Sequence, residues 1–263
     1  VSRCPSLPRT NILGAGVSAI TMQQALDQVA CWIEERQRAY VVVANVHTVM
    51  ETQSRPGYRA IVNRADLVTP DGMPLVVLSR RLGRHPVERV YGPDLMLALS
   101  ALSAQHGYRQ YYFGGAEDTP ERLAGILGRQ FPGLPVVGTY SPPFRPLSAD
   151  EDRAVVERIN EANPDIVWVG LGCPKQDIWM AEHRDRLNAP VLIGVGAAFD
   201  FLSGQKQQAP RWMMRHSLEW LYRLLQEPRR LWRRYLVYNP LFVVLVLLQI
   251  ARLRQIPLPD GQD

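Results

Sequence analysis

IVWVGLGCPKQ, residues Ile166 to Gln176, is the stretch on which the fold turns. Ile166–Gly170 is a short run of β-branched, aromatic and small residues with no polar interruption, which reads as a strand buried on both faces. Gly172 supplies a turn, and Gln176 to Leu187 takes up a helical pattern. The same texture recurs at Tyr40–Val46, Asp66–Thr69, Arg109–Phe113, Val136–Thr139 and Val191–Val195. Helical stretches separate these runs. Thr21–Arg38 opens with the capping box Thr21-x-x-Gln24 and places Ala25, Val29 and Ile33 on one face. Gly92–His106 is a second helix. A third is capped by Thr119 with Pro120 in its first position, and another opens with the box Ser148-x-x-Glu151. Strands alternating with helices predict an α/β fold, a Rossmann-like parallel sheet with helices on both faces.

A chain of 263 residues, 46% hydrophobic and 21% charged, is not disordered as a whole. It is long enough to bury a core without covalent or metal staples. Cys4, Cys31 and Cys173 are too few and too far apart for a disulfide framework or a zinc site, which fits a reducing compartment. Val1–Asn11 has no apolar segment of the kind found in secretory signals. The texture changes after Gly204. Polar Gln205–Gln208 and Ala209-Pro210 lead into a helical segment, Arg211–Gln226, which Pro228 ends or kinks. A second segment, Arg229–Val237, runs through Asn239-Pro240 to apolar Leu241–Leu253. We place a catalytic core at 1–204 and a helical appendage at 205–263. The longest nearly unbroken apolar run, Leu241–Ala251, is shorter than the roughly 20 residues of a comfortable membrane span. Between 211 and 254 lie nine Arg and two acids, Glu219 and Glu227, so this segment carries +7 of a formal net +5 and the rest of the chain is slightly acidic. Only Lys175 and Lys206 are lysines, an Arg bias that points to a GC-rich genome.

Several motifs have a plain reading beside a functional one. Gly14-Ala15-Gly16-Val17-Ser18-Ala19 matches a dinucleotide fingerprint, but the helix cap at Thr21 comes too late for it, and a tight turn fits better. Asp150-Glu151-Asp152 contains a D-x-D pair, yet it falls in the first turn of a capped helix, where acids suit the dipole. Four strand ends are richer. They are Asn45-Val46-His47-Thr48, Asp71-Gly72, Gly114-Gly115, and Gly172 through Lys175-Gln176. Alone, each could be a turn or a cap, as Thr48 could be. Together, at the carboxyl ends of parallel strands, they predict a nucleotide-type site. In the appendage, Arg223, Arg230 and Arg233 fall at spacings of seven and three, among Trp212, Trp220, Tyr222, Trp232, Tyr235 and Tyr238. Cations, interfacial aromatics and a short apolar run describe helices lying in an anionic membrane interface. A solvated basic face and a packing or dimer contact are the alternatives. Leu241–Leu248 would be a costly exposed surface on a soluble nucleic-acid binder.

Ordered motifs tie these features together: Pro70-Asp71-Gly72-Met73-Pro74, Arg89-x-x-Gly92-x-Asp94-Leu95, Gly172-x-Pro174-Lys175-Gln176-x-x-Trp179 and Gly194-Val195-Gly196-x-x-Phe199-Asp200-Phe201-x-x-Gly204. The tail adds Ala209-Pro210-x-Trp212, Leu218-Glu219-Trp220-x-x-Arg223-Leu224 and Glu227-Pro228-Arg229-Arg230. From about Asn11 to Leu248 the chain resembles the WecG/TagA/CpsF glycosyltransferases of bacterial surface-polysaccharide assembly. The resemblance implies a Rossmann-like core whose C-terminal appendage docks on the inner face of the cytoplasmic membrane and completes the active site. It implies inverting transfer of a sugar from a UDP-sugar to a polyprenyl-diphosphate-linked acceptor. The family's base falls on Asp71, its supporting polar residues on Thr48, Arg89 and Gln176, and its appendage arginines on Arg223, Arg230 and Arg233. Asn45, Gly114, Gly115, Gly172, Lys175 and Asp200 are the remaining expected substrate contacts. Asp177 stands where Glu is commoner.

The expected chemistry is a single displacement. A carboxylate takes the acceptor's proton, and the appendage arginines meet the charge growing on the leaving diphosphate, with no divalent metal or other cofactor. The Arg-rich composition leads us to expect UDP-glucose as donor, in a xanthan-type pathway. UDP-N-acetylmannosamine, or its uronic acid, with an N-acetylglucosamine lipid is the alternative. Other polysaccharide-assembly enzymes are possible partners; nucleic acid is not expected. A non-catalytic, membrane-anchored nucleotide sensor is a reading from another class, and the retention of Asp71 with all three arginines argues against it.

Overall fold

The computed structural model describes residues 4–83 and 85–259; the outermost residues of the two expected domains, 1–3 and 260–263, lie outside these. The chain opens with an antiparallel hairpin, β1 (Arg9–Ile12) and β2 (Ala15–Ser18). Leu13 and Gly14 at its turn both have positive φ, so the glycine motif is a tight turn followed by a strand and not a phosphate loop. Then follow α1 (Met22–Glu34), β3 (Ala39–Ala44), α2 (Val46–Ser54), α3 (Pro56–Arg64), β4 (Leu67–Pro70) and α4 (Met73–Leu82). The second half runs α5 (Gly92–His106), β5 (Gln110–Gly114), α6 (Thr119–Gln130), β6 (Val136–Tyr140), α7 (Ala149–Ala162), β7 (Ile166–Gly170), α8 (Lys175–His183), β8 (Val191–Gly194) and α9 (Ala198–Leu202). Strands β3 to β8 form one parallel sheet in the order β4-β3-β8-β7-β5-β6.

The alternation of side chains along the strands divides the core in two. Tyr40, Val42, Val167, Val169 and Leu192 face α2, α3, α7 and α8. Val41, Tyr112, Trp168 and Ile193 face α1, α5, α6 and α9. Both faces are covered, which is why the strands read as unbroken apolar runs. The capping boxes at Thr21/Gln24 and Ser148/Glu151 are both formed. The third helix begins one residue earlier than expected, with Asp118 and not Thr119 at the cap position. Strand β3 stops at Ala44, not Val46, because Asn45 leaves the sheet to cap α2; its side chain accepts from His47 and Thr48 backbone N–H groups. Cys4 and Cys31 form a disulfide, with their Cα atoms 5.7 Å apart, contrary to our reading of three unpaired thiols. The two cysteines, distant in sequence, meet because the N-terminal segment packs against the core face that α1 covers, where both Cys4 and Leu7 lie.

The C-terminal segment comprises α10 (Arg211–Arg215), α11 (Glu219–Gln226), α12 (Pro228–Trp232), a π-helical turn (Arg233–Val237) and α13 (Tyr238–Ile250). The expected helix Arg211–Gln226 is therefore two, broken where Ser217 takes a positive φ. Conversely, Asn239-Pro240 does not interrupt the last helix. The wide π turn just before it gives the proline ring room against the carbonyl four residues back. Pro228–Ile250 is thus 23 residues of continuous helix, long and apolar enough to cross a membrane by length and composition, with 28% of its most apolar window buried in the protein. One face of α13 is already taken. Phe242, Leu245 and Val246 are buried in the core that includes α2. Gln249 clamps the hairpin, accepting from the Leu13 N–H at 2.8 Å and donating to the Asn11 carbonyl at 2.9 Å.

Candidate active site

Where α11, the π turn and α13 meet the carboxyl ends of β3 and β4, they enclose a cavity of about 280 Å³. The core contributes Asn45 and His47 from α2, Asp71 to Pro74 from the β4–α4 junction, and Arg89. The appendage contributes Glu219, Trp220, Arg223, Arg234, Tyr235 and Asn239.

Asp71 follows β4 directly, and its N–H donates to the Ala44 carbonyl, fixing it at the sheet edge. Burial raises its carboxyl to about 6; Glu219 pushes the same way, while Arg89, Asn45 and Arg223 oppose it. Its Oδ1 has no hydrogen-bond partner among the described residues. Arg89 Nε donates to the Asp71 backbone carbonyl. Its Nη2 lies 2.7 Å from Glu219 Oε2 and 3.6 Å from Asp71 Oδ1, and its guanidinium stacks on Tyr91 at 4.1 Å. Burial opposes the Arg89 charge, but the two carboxylates raise it on balance. His47 is pushed down to about 3, by burial first and then by Arg234, Arg55 and Arg223, so its imidazole is neutral.

Arg234 donates to Asn45 Oδ1 at 3.3 Å, and its Nε is buried with no partner among the described residues. Burial lowers its affinity for the proton, and Arg223 beside it does likewise. Neither Arg223 nor Arg234 is ion-paired among the described residues. The cavity therefore brings three guanidinium groups against two carboxylates, an arrangement suited to an anion.

The other expected residues fall elsewhere. Thr48 is buried as the third residue of the Asn45 capping box, touching Cys173 at 3.8 Å. Gln176 is buried too, accepting from the Gly172 N–H at 3.1 Å. Neither lines the cavity. Gly114 ends β5 with φ +111, and a Cβ there would lie 2.8 Å from the Gly170 carbonyl carbon, so no other residue fits. Gly115 and Gly172 also take the left-handed conformation. Lys175 is exposed at the start of α8. These four belong to the same edge of the sheet but do not line the cavity. Asp200 pairs with Lys206 at 2.8 Å, Lys206 reaches Glu227 at 3.3 Å, and Glu227 pairs with Arg230. That chain latches the appendage to α9. Arg230 and Arg233 are exposed on the outer side of the helix, so of the three expected arginines only Arg223 lines the cavity.

Glu219, Arg234 and His47 were not singled out from the sequence. Glu219 lies inside a quoted motif, and Arg234 stands eleven residues, three helical turns, after Arg223. Behind the strand ends, Tyr58 donates to Asp177 at 2.6 Å and contacts Cys173 at 3.3 Å. Burial lifts the Asp177 carboxyl to about 7 and the Cys173 thiol to about 12. In the D-x-D segment Asp150 pairs with Arg153, and Asp152 with His183 and Arg186.

Comparison with known proteins identifies the family. Residues 10–256 match the model of the glycosyl transferase WecG/TagA/CpsF family. A Bacillus spizizenii protein named N-acetylglucosaminyldiphosphoundecaprenol N-acetyl-beta-D-mannosaminyltransferase is 33% identical over 82% of this chain and 81% of its own length. Proteins with the same name from Bacillus subtilis and Staphylococcus aureus are 29% and 26% identical, over 78% and 86% of this chain and 78% and 87% of their own lengths.

Proposed function

Since the chain belongs to the WecG/TagA/CpsF glycosyltransferase family, we propose that it moves N-acetylmannosamine from UDP-N-acetylmannosamine to a polyprenyl-diphosphate-linked N-acetylglucosamine. The relatives' names favour this donor and acceptor over glucose. The Arg-rich composition behind the glucose expectation reflects a genome, not a pocket. The observation that carries the reading is the cavity itself, where a carboxylate with one buried, unpartnered oxygen faces two arginines lacking ion-pair partners among the described residues.

In the displacement, the acceptor hydroxyl oxygen bonds to the anomeric carbon as the bond from that carbon to the diphosphate oxygen breaks. The hydroxyl proton goes to Asp71. A base near 6 is largely ionised at neutral pH yet still holds a proton well, the compromise general-base catalysis requires. The electron pair leaves with the nucleoside diphosphate, and Arg223 and Arg234 stabilise that charge inside a partly dry site. Asn45 orients Arg234, and neutral His47 leaves the cationic count to the guanidinium groups.

An acceptor held in a bilayer requires the cavity to open at a membrane surface. The exposed apolar side chains of the appendage, among them Trp212, Leu225, Trp232, Val244, Leu247 and Leu253, suit such a surface. Because α13 is packed against α2 on one side, we read Pro228–Ile250 as lying in the inner-face interface and not spanning it. The test is a transfer assay in detergent offering a panel of UDP-sugars with the N-acetylglucosamine lipid and a glucose lipid, read by mass spectrometry. A new disaccharide lipid from UDP-N-acetylmannosamine supports the reading; product only from UDP-glucose on the glucose lipid refutes it.

A further inference from the structure

We propose that Glu219 is a positioning residue that draws Arg89 away from the Asp71 carboxylate, so that the base is set only when the appendage seats on the core. Arg89 is held from three sides. Its Nε donates to the Asp71 backbone carbonyl, its plane rests on Tyr91, and its Nη2 binds Glu219 at 2.7 Å. The same nitrogen stands 3.6 Å from Asp71 Oδ1, beyond hydrogen-bond reach. Two carboxylates compete for one guanidinium, and Glu219 has the better geometry. Asp71 Oδ1 is thereby left bare.

Glu219 is the first residue of α11 and belongs to the appendage, whereas Asp71 and Arg89 belong to the core. The contact therefore exists only in the docked arrangement. The groups facing Asp71 are Arg89 and Tyr91 beside α5, Asn45 and neutral His47 from α2, Glu219 and Arg223 from α11, and Arg234 from the π turn. Of these, Glu219 alone is an anion. Without it, Arg89 turns fully to Asp71, which then holds its proton less tightly and accepts the acceptor's proton less readily.

The kinetic arm of the test rests on the proposed transfer reaction; the spectroscopic arm does not. Full-length protein in detergent is labelled with carboxyl-13C aspartate, and the Asp71 resonance is assigned by its loss in Asp71→Asn. In the wild type it should titrate near pH 6. In Glu219→Gln the midpoint should fall by about one pH unit, tenfold in proton affinity, with Glu219→Asp in between. The acid limb of kcat/KM should move the same way, with kcat reduced more than the donor KM is raised. An unmoved midpoint in Glu219→Gln, even with activity lost, marks Glu219 as a packing residue and overturns the proposal. Should that variant fail to fold, Glu219→Asp decides alone: the Asp71 midpoint should fall by part of that unit, and an unmoved one overturns the proposal equally. A wild type with no transfer activity would sink the functional reading while leaving the titration to decide this one.

Discussion

Asp71→Asn should leave a more stable protein that transfers no sugar. Raising a carboxyl from its usual 3.8 to about 6 means that burying the ionised form opposes folding by about 3 kcal/mol at neutral pH. The sign follows from the direction of the shift. The unfolded carboxyl ionises at lower pH than the folded one, so the folded protein binds more protons in this window and loses stability as pH rises from about 4 to 7. Asparagine removes the charge and keeps the shape. Arg89 loses one of two anionic neighbours but keeps Glu219 at 2.7 Å. We therefore expect a net gain of about 1–2 kcal/mol at pH 7.5, or a rise of about 2–8 °C in Tm for a chain of this size. At pH 5 the wild-type carboxyl is mostly protonated, and the gap between the two proteins should shrink. Thermal melts of both proteins at pH 5 and 7.5 make the measurement. An asparagine variant less stable than wild type at pH 7.5, or a difference that does not change with pH, would refute the idea that Asp71 is a base held against its preference to be solvated.

Arg234→Ala should reduce transfer by about 10–100-fold, the value of a lost hydrogen bond to a charged group, without lowering Tm, because the guanidinium it removes has no ion-pair partner among the described residues. Arg230→Ala and Arg233→Ala, measured the same way with a detergent-solubilised acceptor, should stay within about threefold of wild type, since neither side chain lines the cavity. Val244→Glu with Leu247→Glu should abolish binding to anionic vesicles in a flotation assay while leaving Tm within a degree or so, because both residues are exposed. Gly114→Ala should lower stability by about 1–3 kcal/mol in denaturant titrations, from the positive φ and the close Gly170 backbone together. Transfer should persist in EDTA, since guanidinium groups supply the cationic charge at the cavity.

The fold was legible because a parallel sheet buried on both faces writes each strand as an apolar run, and all six were found to within two residues. The hairpin and α2 to α4 were harder to see. Strands β1 and β2 are four residues each, and α2 starts at a cap whose Asn45 looks like the polar end of a strand. In the site, Asp71 stands out because it sits in a short motif at a strand end, and Arg89 because it opens a motif that runs into α5. The appendage misled in one respect. Spacings of seven and three put Arg223, Arg230 and Arg233 on one face only if the helix is continuous. The chain breaks at Glu227, which has φ −133 and ψ 60, and the π turn at Arg233–Val237 adds a residue to the turn. In the structure Arg234 lines the cavity, whereas Arg230 and Arg233 are exposed. Thr48 and Gln176 drew attention as polar residues near a ligand edge, yet both spend their hydrogen bonds on the backbone that shapes it.

The central claim is that a core carboxylate and appendage arginines form one active site. It is tested most directly by single-turnover transfer of N-acetylmannosamine to the N-acetylglucosamine lipid, comparing wild type, Asp71→Asn and the double variant Arg223→Ala/Arg234→Ala, with donor affinity measured alongside. The expected result is turnover by wild type only, with donor affinity kept in Asp71→Asn and weakened in the double variant. Wild-type rates in either variant would contradict the account.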